Sequence, residues 1–313
     1  MVRFNKPAWG SLMLAGILLL SGCQTIFLPP GMDEAGYESS PSTGTPSWYP
    51  LDEGLDFYYF RDRSFPLALF ALRVDIRAGL WDLVFTEPSE AFLASREGEA
   101  MEGITTTDFL LEEGCYAAVN GGPFSPYRWF LPRRGQTPSG LYVWEGQLLE
   151  GPLERFDALV VDEEGNLSIR SQGEYPFEGE FILGGFQRLL ESGDTIVPEG
   201  GERTPRTALG ISSDGRYLYL MVADGRREEY SRGLTLAETA GYLNFLGSHD
   251  ALNMDGGGSS VMVLAEIPRN RGDGGAGLNG GSRARIVNRP VNRRGFPERI
   301  VATHLGIRKK RGL

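Results

Sequence analysis

Histidine is nearly absent from this 313-residue chain: His249 and His304 are the only two. They form no H-x-x-x-H pair, which argues against a zinc centre built on histidines. Cysteine is as scarce, with two residues. Cys23 closes a leader-like segment, so Cys115 is left without an intramolecular disulfide partner, and its apolar neighbours in "EEGCYAAVN" point to a buried structural thiol. There is no G-x-x-x-x-G-K-[ST], hence no P-loop, and no G-x-S-x-G, hence no nucleophile elbow of an α/β-hydrolase. The apolar run "SLMLAGILLL" at 11–20 is too short to cross a membrane as a helix. No internal repeat is visible, and too little of the chain has helical periodicity for an all-α protein.

What is present begins with a targeting segment. Arg3 and Lys6 precede the short apolar run, and Leu20-Ser21-Gly22-Cys23 follows it. This order resembles the bacterial lipobox, in which Cys23 becomes the lipidated first residue. The expectation is a signal peptide at 1–22 and an exported protein anchored to a bacterial membrane through lipid rather than spanning it. Gln24 after the cysteine resembles the outer-membrane sorting signal. Residues 23–54, rich in Pro, Gly, Ser and Thr, read as the lipidated cysteine and a flexible tether.

Composition narrows the partners. The formal net charge is −10, and removing the leader with its two cations takes it to −12. Residues 269–313 run against this, with twelve Arg or Lys against Asp273 and Glu298. An acidic body argues against nucleic acid as a partner. A basic C-terminal part suits an anionic substrate or is a solvated surface, with 309–313 as a basic tail. No feature of the sequence speaks to oligomeric state.

Glycine is abundant, 43 of 313 residues, which predicts many turns and short strands. Strands are expected at 67–76, in "WDLVF" up to Pro88, in "CYAAVN", and in paired runs around 141–150 and 157–170. "EFILGGFQRLL" reads as a further strand-like piece, and "SDGR" between "TALGIS" and "YLYLMVA" as a hairpin turn. A short helix is expected at 105–114, capped by Thr107 or Asp108 and stopped by Gly114. A stronger one covers 235–247, with Thr235 and Glu238 as a capping box and Gly247 as its stop. The closing strand falls in "ERIVATHLGI". The fold class is α+β: a mixed, strand-rich twisted sheet with two or three helices, in one folded body over 55–308.

Five polar clusters sit at strand ends, where a rigid scaffold presents functional groups. They are Asn120-Gly121-Gly122, Arg206 in "TPRTALG", Asp224 and Arg226 in "VADGR", the run Asp255-Gly256-Gly257-Gly258-Ser259-Ser260, and "NRP" at 288–290 with Glu298-Arg299. The three glycines are expected to turn their amides into one concavity, a nest for phosphate or an oxyanion. Ser259 and Ser260 add donors, Arg206 can clamp two phosphate oxygens, and Asp255 or Asp224 can act as acid, base or metal ligand. No cofactor is required by the sequence, although Asp255 and Asp224 could hold Ca²⁺ or Mg²⁺. "GDGGAGLNGG" reads as a flexible loop.

Taken in order, "AAVNGG", "TPRTALG", "VADGR", "GLTLAETAGYLNFLGSHDALNMDGGGSSVMV" and "NRP…ERIVATHLGI" resemble the phosphodiester glycosidase family from about Leu55 to Arg308. The resemblance implies hydrolysis of a glycosyl phosphodiester to leave a phosphomonoester. It implies Asp255, Asp224 and Arg206 as catalytic residues, and Asn120, Gly121, Arg226, Gly256, Gly257, Ser259 and Ser260 as substrate-binding ones. The chain departs from the family pattern in three places. Pro123 precedes Phe124 after the Asn-Gly-Gly, Phe186 replaces a proline after Gly184-Gly185, and Thr303-His304 stands in the closing motif where Asn-Ala is usual. The alternative reading is a non-catalytic surface lipoprotein that binds phosphorylated glycan, with Trp129, Phe130 and Trp144 as stacking surfaces.

Overall fold

The computed structural model describes residues 28–29, 44–95, 100–127, 132–266, 283–292 and 296–310. The leader, Cys23, Trp129, Phe130 and the loop "GDGGAGLNGG" lie outside the described residues. Among the described residues no helix is long and apolar enough to cross a membrane.

The α+β expectation holds, with the strands divided among four sheets. The largest has eight strands, in the order Tyr49–Asp52, Leu55–Asp62, Leu67–Asp75, Tyr217–Ala223, Arg206–Ile211, Asp250–Asn253, Arg188–Glu191 and Asp194–Thr195. Every neighbouring pair in it is antiparallel. Its central strands are apolar on both faces because both are covered. Phe57, Tyr59, Phe70, Leu72 and Leu220 point into a core shared with the other sheets. Tyr58, Phe60, Leu69, Ala71 and Met221 point the other way, onto Ala240, Leu243 and Leu246 of the helix Leu236–Leu246. That two-sided burial explains the continuous apolar run "LALFALRV", since each fully buried Leu or Phe contributes roughly 1.5–3 kcal/mol.

Helix ends follow their capping residues. Thr235 and Glu238 bond each other's backbone amides, at 3.1 Å and 2.8 Å, and Gly247 ends the helix at φ 113°. The shorter helix, Thr106–Glu113, is capped by Thr105 rather than by Thr107 or Asp108: the Asp108 amide donates to Thr105 Oγ1 at 3.0 Å. The reason is local. In the run Thr105-Thr106-Thr107-Asp108 only Thr105 has an acid three residues on, and its hydroxyl donates back to that carboxylate at 2.7 Å. A third helix, Glu90–Ser95, was not foreseen.

The piece "EFILGGFQRLL" is two strands in two sheets. Phe181–Gly184 belongs to a five-stranded sheet and Arg188–Glu191 to the eight-stranded one. The chain crosses between them at Gly185, where an added Cβ would stand 2.8 Å from the Asn253 carbonyl. A second five-stranded sheet is ordered Arg283–Ile286, Met262–Glu266, Ala117–Asn120, His304–Lys309 and Trp81–Phe85. The strand Tyr49–Asp52 lies ahead of Leu55, inside the span expected as tether, and Lys309 is part of the closing strand, where it pairs with Asp52 at 2.6 Å. Cys115 is fully buried, and burial pushes its thiol up to about 12, so it is structural.

Candidate functional site

The site forms where two sheets meet. The strand Asp250–Asn253 ends in the eight-stranded sheet, and Met262–Glu266 starts in the five-stranded one beside Ala117–Asn120. Residues 254–261, which hold the glycine run, bridge them. Asn120 staples this bridge at both ends. Its Nδ2 donates to the Asp255 carbonyl at 2.7 Å, and its Oδ1 accepts from the Val261 amide at 3.2 Å and the Thr207 hydroxyl at 2.7 Å. Asn120 is 1% exposed, so it holds the turn instead of reaching a substrate, because its carboxamide is already bonded on both sides. Gly121 is likewise internal. Its amide donates to the Thr303 carbonyl at 2.7 Å, and its carbonyl accepts from the Asp255 amide at 3.1 Å. Thr303, at the position where the family motif usually has Asn, accepts the Gly122 amide on its hydroxyl at 3.0 Å. His304 is a core residue, stacked on Phe109 and bonded to Thr86, and burial lowers it to about 3.

The glycine run does not present the expected amide nest. The Gly256 amide bonds the Asp255 carboxylate. The Gly257 amide donates to the Pro205 carbonyl at 2.8 Å, and the Ser259 and Ser260 amides donate to the Gly256 and Gly257 carbonyls at 3.2 and 3.4 Å. These donors close a single 3₁₀ turn, Gly257–Ser259. The glycines serve a different purpose. A Cβ on Gly257, which has φ +62°, would stand 3.3 Å from Arg226 Nη1, and a Cβ on Gly258 would overlap Arg299 Nη2. Their bare backbone leaves room for two guanidiniums against the turn, Arg226 at Gly257 and Arg299 at Gly258, and Arg299 also acts on Asp255.

Asp255 is the buried carboxylate of this arrangement that keeps one oxygen without a partner among the described residues. It is 7% exposed. One oxygen is held by the Ser259 hydroxyl and the Gly256 amide, while Oδ2 has no partner among the described residues. Burial raises its pKa to about 6, against the lowering effects of Ser259 and Arg299. Ser259 also accepts from Arg299 Nη1 at 3.2 Å, so acid, hydroxyl and guanidinium form one chain. Ser260 is buried, with an Oγ that lacks a partner among the described residues and a carbonyl that accepts from Asn288 Nδ2 at 3.1 Å.

Asp224 is not a second open acid. Its oxygens accept from the Tyr230 hydroxyl at 2.9 Å, Asn288 Nδ2 at 2.9 Å and the Arg289 amide at 2.8 and 3.0 Å. It is 1% exposed, and burial raises its pKa despite those bonds. Asp224 therefore anchors residues 288–289, and through Asn288 it fixes Ser260 and the Met262 amide, the latter at 2.9 Å. Arg206 is half-buried, with Nε donating to the Leu234 carbonyl at 3.0 Å and Nη2 to the Glu202 carbonyl at 3.1 Å. Burial and the neighbouring Arg226 hold it below the usual arginine value, yet still charged at any ordinary pH. Arg226 is exposed, holds φ +58°, and its guanidinium has no hydrogen bond to other described residues. A non-glycine residue in that region is strained by about 1–3 kcal/mol, a cost that recurs at functional sites.

Three further side chains border this arrangement: Arg299, Asn288 and Tyr127. Arg299 and Asn288 were in view in the "NRP…ER" cluster, although neither stood out from a generally basic segment. Tyr127, whose ring lies under Arg299 with 5.4 Å between centroid and Cζ, has no sequence signal at all. No cluster of three or more His, Cys, Asp or Glu able to hold a metal ion occurs among the described residues. A cavity of about 400 Å³ beside Asp157, Glu174, Gln187 and Arg188 contains none of the site residues.

The scaffold is strand-rich and holds a buried carboxylate with one guanidinium, Arg299, linked to it through Ser259. The sequence comparison identifies the class: residues 113–308 match the phosphodiester glycosidase family, and the chain belongs to it. No curated protein matches the chain. Among solved structures it is similar to the catalytic domain of zebrafish N-acetylglucosamine-1-phosphodiester alpha-N-acetylglucosaminidase, auto-inhibited by its pro-peptide. The TM-score is 0.58 at 18% identity, over 85% of this chain and 87% of the other. It is also similar to a hypothetical protein from Synechocystis, with a TM-score of 0.56 at 12% identity, over 85% and 64% of the two chains. At these identities the likeness is one of fold.

Proposed function

We propose that this protein hydrolyses a glycosyl phosphodiester, with water as co-substrate and a free sugar and a phosphomonoester as products. The observation that carries the proposal is Asp255: a buried carboxyl with one open oxygen, a pKa of about 6, and Arg299 and Arg226 at the adjoining glycines. At that pKa the group exists in both protonation states near neutrality, as proton transfer to a leaving oxygen or from an attacking water requires. Arg299 and Arg226 hold the phosphate oxygens and, with Arg206, stabilise charge as it builds on the leaving phosphate. With the oxygens of Asp224 engaged, Asp255 carries the proton traffic.

The site is proposed to act outside the cytoplasm. The lipobox-like Cys23 would anchor it to the cell envelope, where exopolysaccharide and other envelope glycans supply phosphodiester-linked sugars. Purified protein incubated with a hexosyl 1-phosphodiester should release sugar and phosphomonoester in equal amounts. Absence of both products, with the ligand still raising the melting temperature, would favour the glycan-binding reading instead.

A further inference from the structure

We propose that Tyr127 is the platform for the sugar ring of the substrate, a reading that rests on the glycosyl phosphodiester assignment above. Tyr127 is 57% exposed, whereas Phe124 behind it is 2% exposed. The two rings meet edge to face, centroids 5.0 Å apart at 70°. Phe124 is itself fixed by backbone pairing with Pro138. The Tyr127 ring is thus backed by the core through Phe124 and more than half exposed, beside Arg299. Its surroundings belong to the chemistry. Arg299 covers part of the ring and reaches Ser259, which holds Asp255.

A pyranose presents a face of C–H bonds that packs on an aromatic ring, and a ring already fixed in place loses little freedom when the sugar arrives. Burial and the Asp255 charge both raise the Tyr127 phenol above its ordinary value, so it stays a neutral phenol near neutrality. The arrangement gives the substrate a direction. The sugar lies over Tyr127 on the Arg299 side of the glycine turn, the phosphate lies between Arg299 and Arg226, and the aglycone extends past Arg226 towards Arg206.

The test compares Tyr127→Ala and Tyr127→Phe on two probes: a hexopyranosyl 1-phosphodiester with a nitrophenyl aglycone, and methyl nitrophenyl phosphate, which has no sugar. The Ala variant should raise KM for the sugar substrate about tenfold with kcat nearly unchanged, and leave the sugar-free probe unaffected. The Phe variant should behave as wild type on both. An unchanged KM in the Ala variant overturns the proposal, and so does a Phe variant as impaired as the Ala variant, which would mean the hydroxyl matters and the ring does not. If the Ala variant does not fold, Tyr127→Leu takes its place, with the same outcomes. If wild type turns over neither probe, thermal shift by hexose 1-phosphate decides. A shift in wild type that Tyr127→Ala loses keeps the platform while the hydrolase reading fails; equal shifts, or none in either, overturn the platform.

Discussion

Replacing Asp255 by Asn should cut activity deeply and stabilise the protein, with a stability gain that grows with pH. The carboxyl titrates at about 6 in the fold against an ordinary value of 3.8. The folded protein therefore binds this proton more tightly than the unfolded chain does. The stability it contributes is complete below pH 3.8 and is lost as pH rises through 6. A shift of about two units, at 1.36 kcal/mol each, makes the loss about 3 kcal/mol at pH 8. Asn has nearly the same shape and no charge to desolvate, so the variant escapes the loss. For a domain of this size the gain corresponds to a melting temperature higher by about 6–12 °C at pH 8. Thermal unfolding of both proteins at unit steps from pH 4 to pH 8 measures it. A difference that does not vary with pH would refute the assigned environment of Asp255. The same variant should lose about 10²–10³ in kcat, and kcat/KM of the wild type should bend near pH 6. A bend downward above pH 6 assigns the protonated acid to the rate-limiting step, and a rise through pH 6 assigns the base.

The neighbours of Asp255 give three further expectations. In Gly258→Ala the new methyl overlaps the Arg299 guanidinium and must push it from Ser259; kcat/KM should fall about 10²-fold, and full activity would remove Arg299 from the site. Asn120→Ala removes three hydrogen bonds that hold the turn and should cost about 2–4 kcal/mol in urea unfolding; a cost below about 1 kcal/mol would contradict its role as a staple. Asp224→Asn should lower stability while keeping kcat within about tenfold, because Asp255 retains the chemistry; a loss as deep as that of Asp255→Asn would restore Asp224 as a second acid or base.

The parts of the fold legible in the sequence are those fixed by neighbours along the chain. Thr235 and Glu238 specify one end of a helix and Gly247 the other, and all three can be read within a dozen residues. The split at Gly184-Gly185 was not legible, because its cause is the Asn253 carbonyl of another strand. The site divides in the same way. The run Asp255 to Ser260 was visible as an unusual pairing of an acid with bare backbone, and the fold buries that acid in a tight turn beside Arg299. Its meaning depended on contacts about 30–50 residues away in sequence. Three consecutive glycines suit two opposite designs. In one the backbone amides face outward to bind an anion, and in the other they turn inward and large side chains occupy the cleared space. Composition alone does not separate the two, since both need residues without a Cβ. The deciding facts are that Pro205 O takes the Gly257 amide and that Arg226 and Arg299 lie against the turn. This exchange places the full positive charge of Arg299 near Asp255, and that of Arg226 against Gly257, where partial charges were expected. A guanidinium binds phosphate through two parallel bonds, and it lowers the cost of ionising the buried acid beside it. The chain can therefore bury Asp255 far enough to bring its pKa near neutrality while one carboxylate oxygen keeps no partner among the described residues.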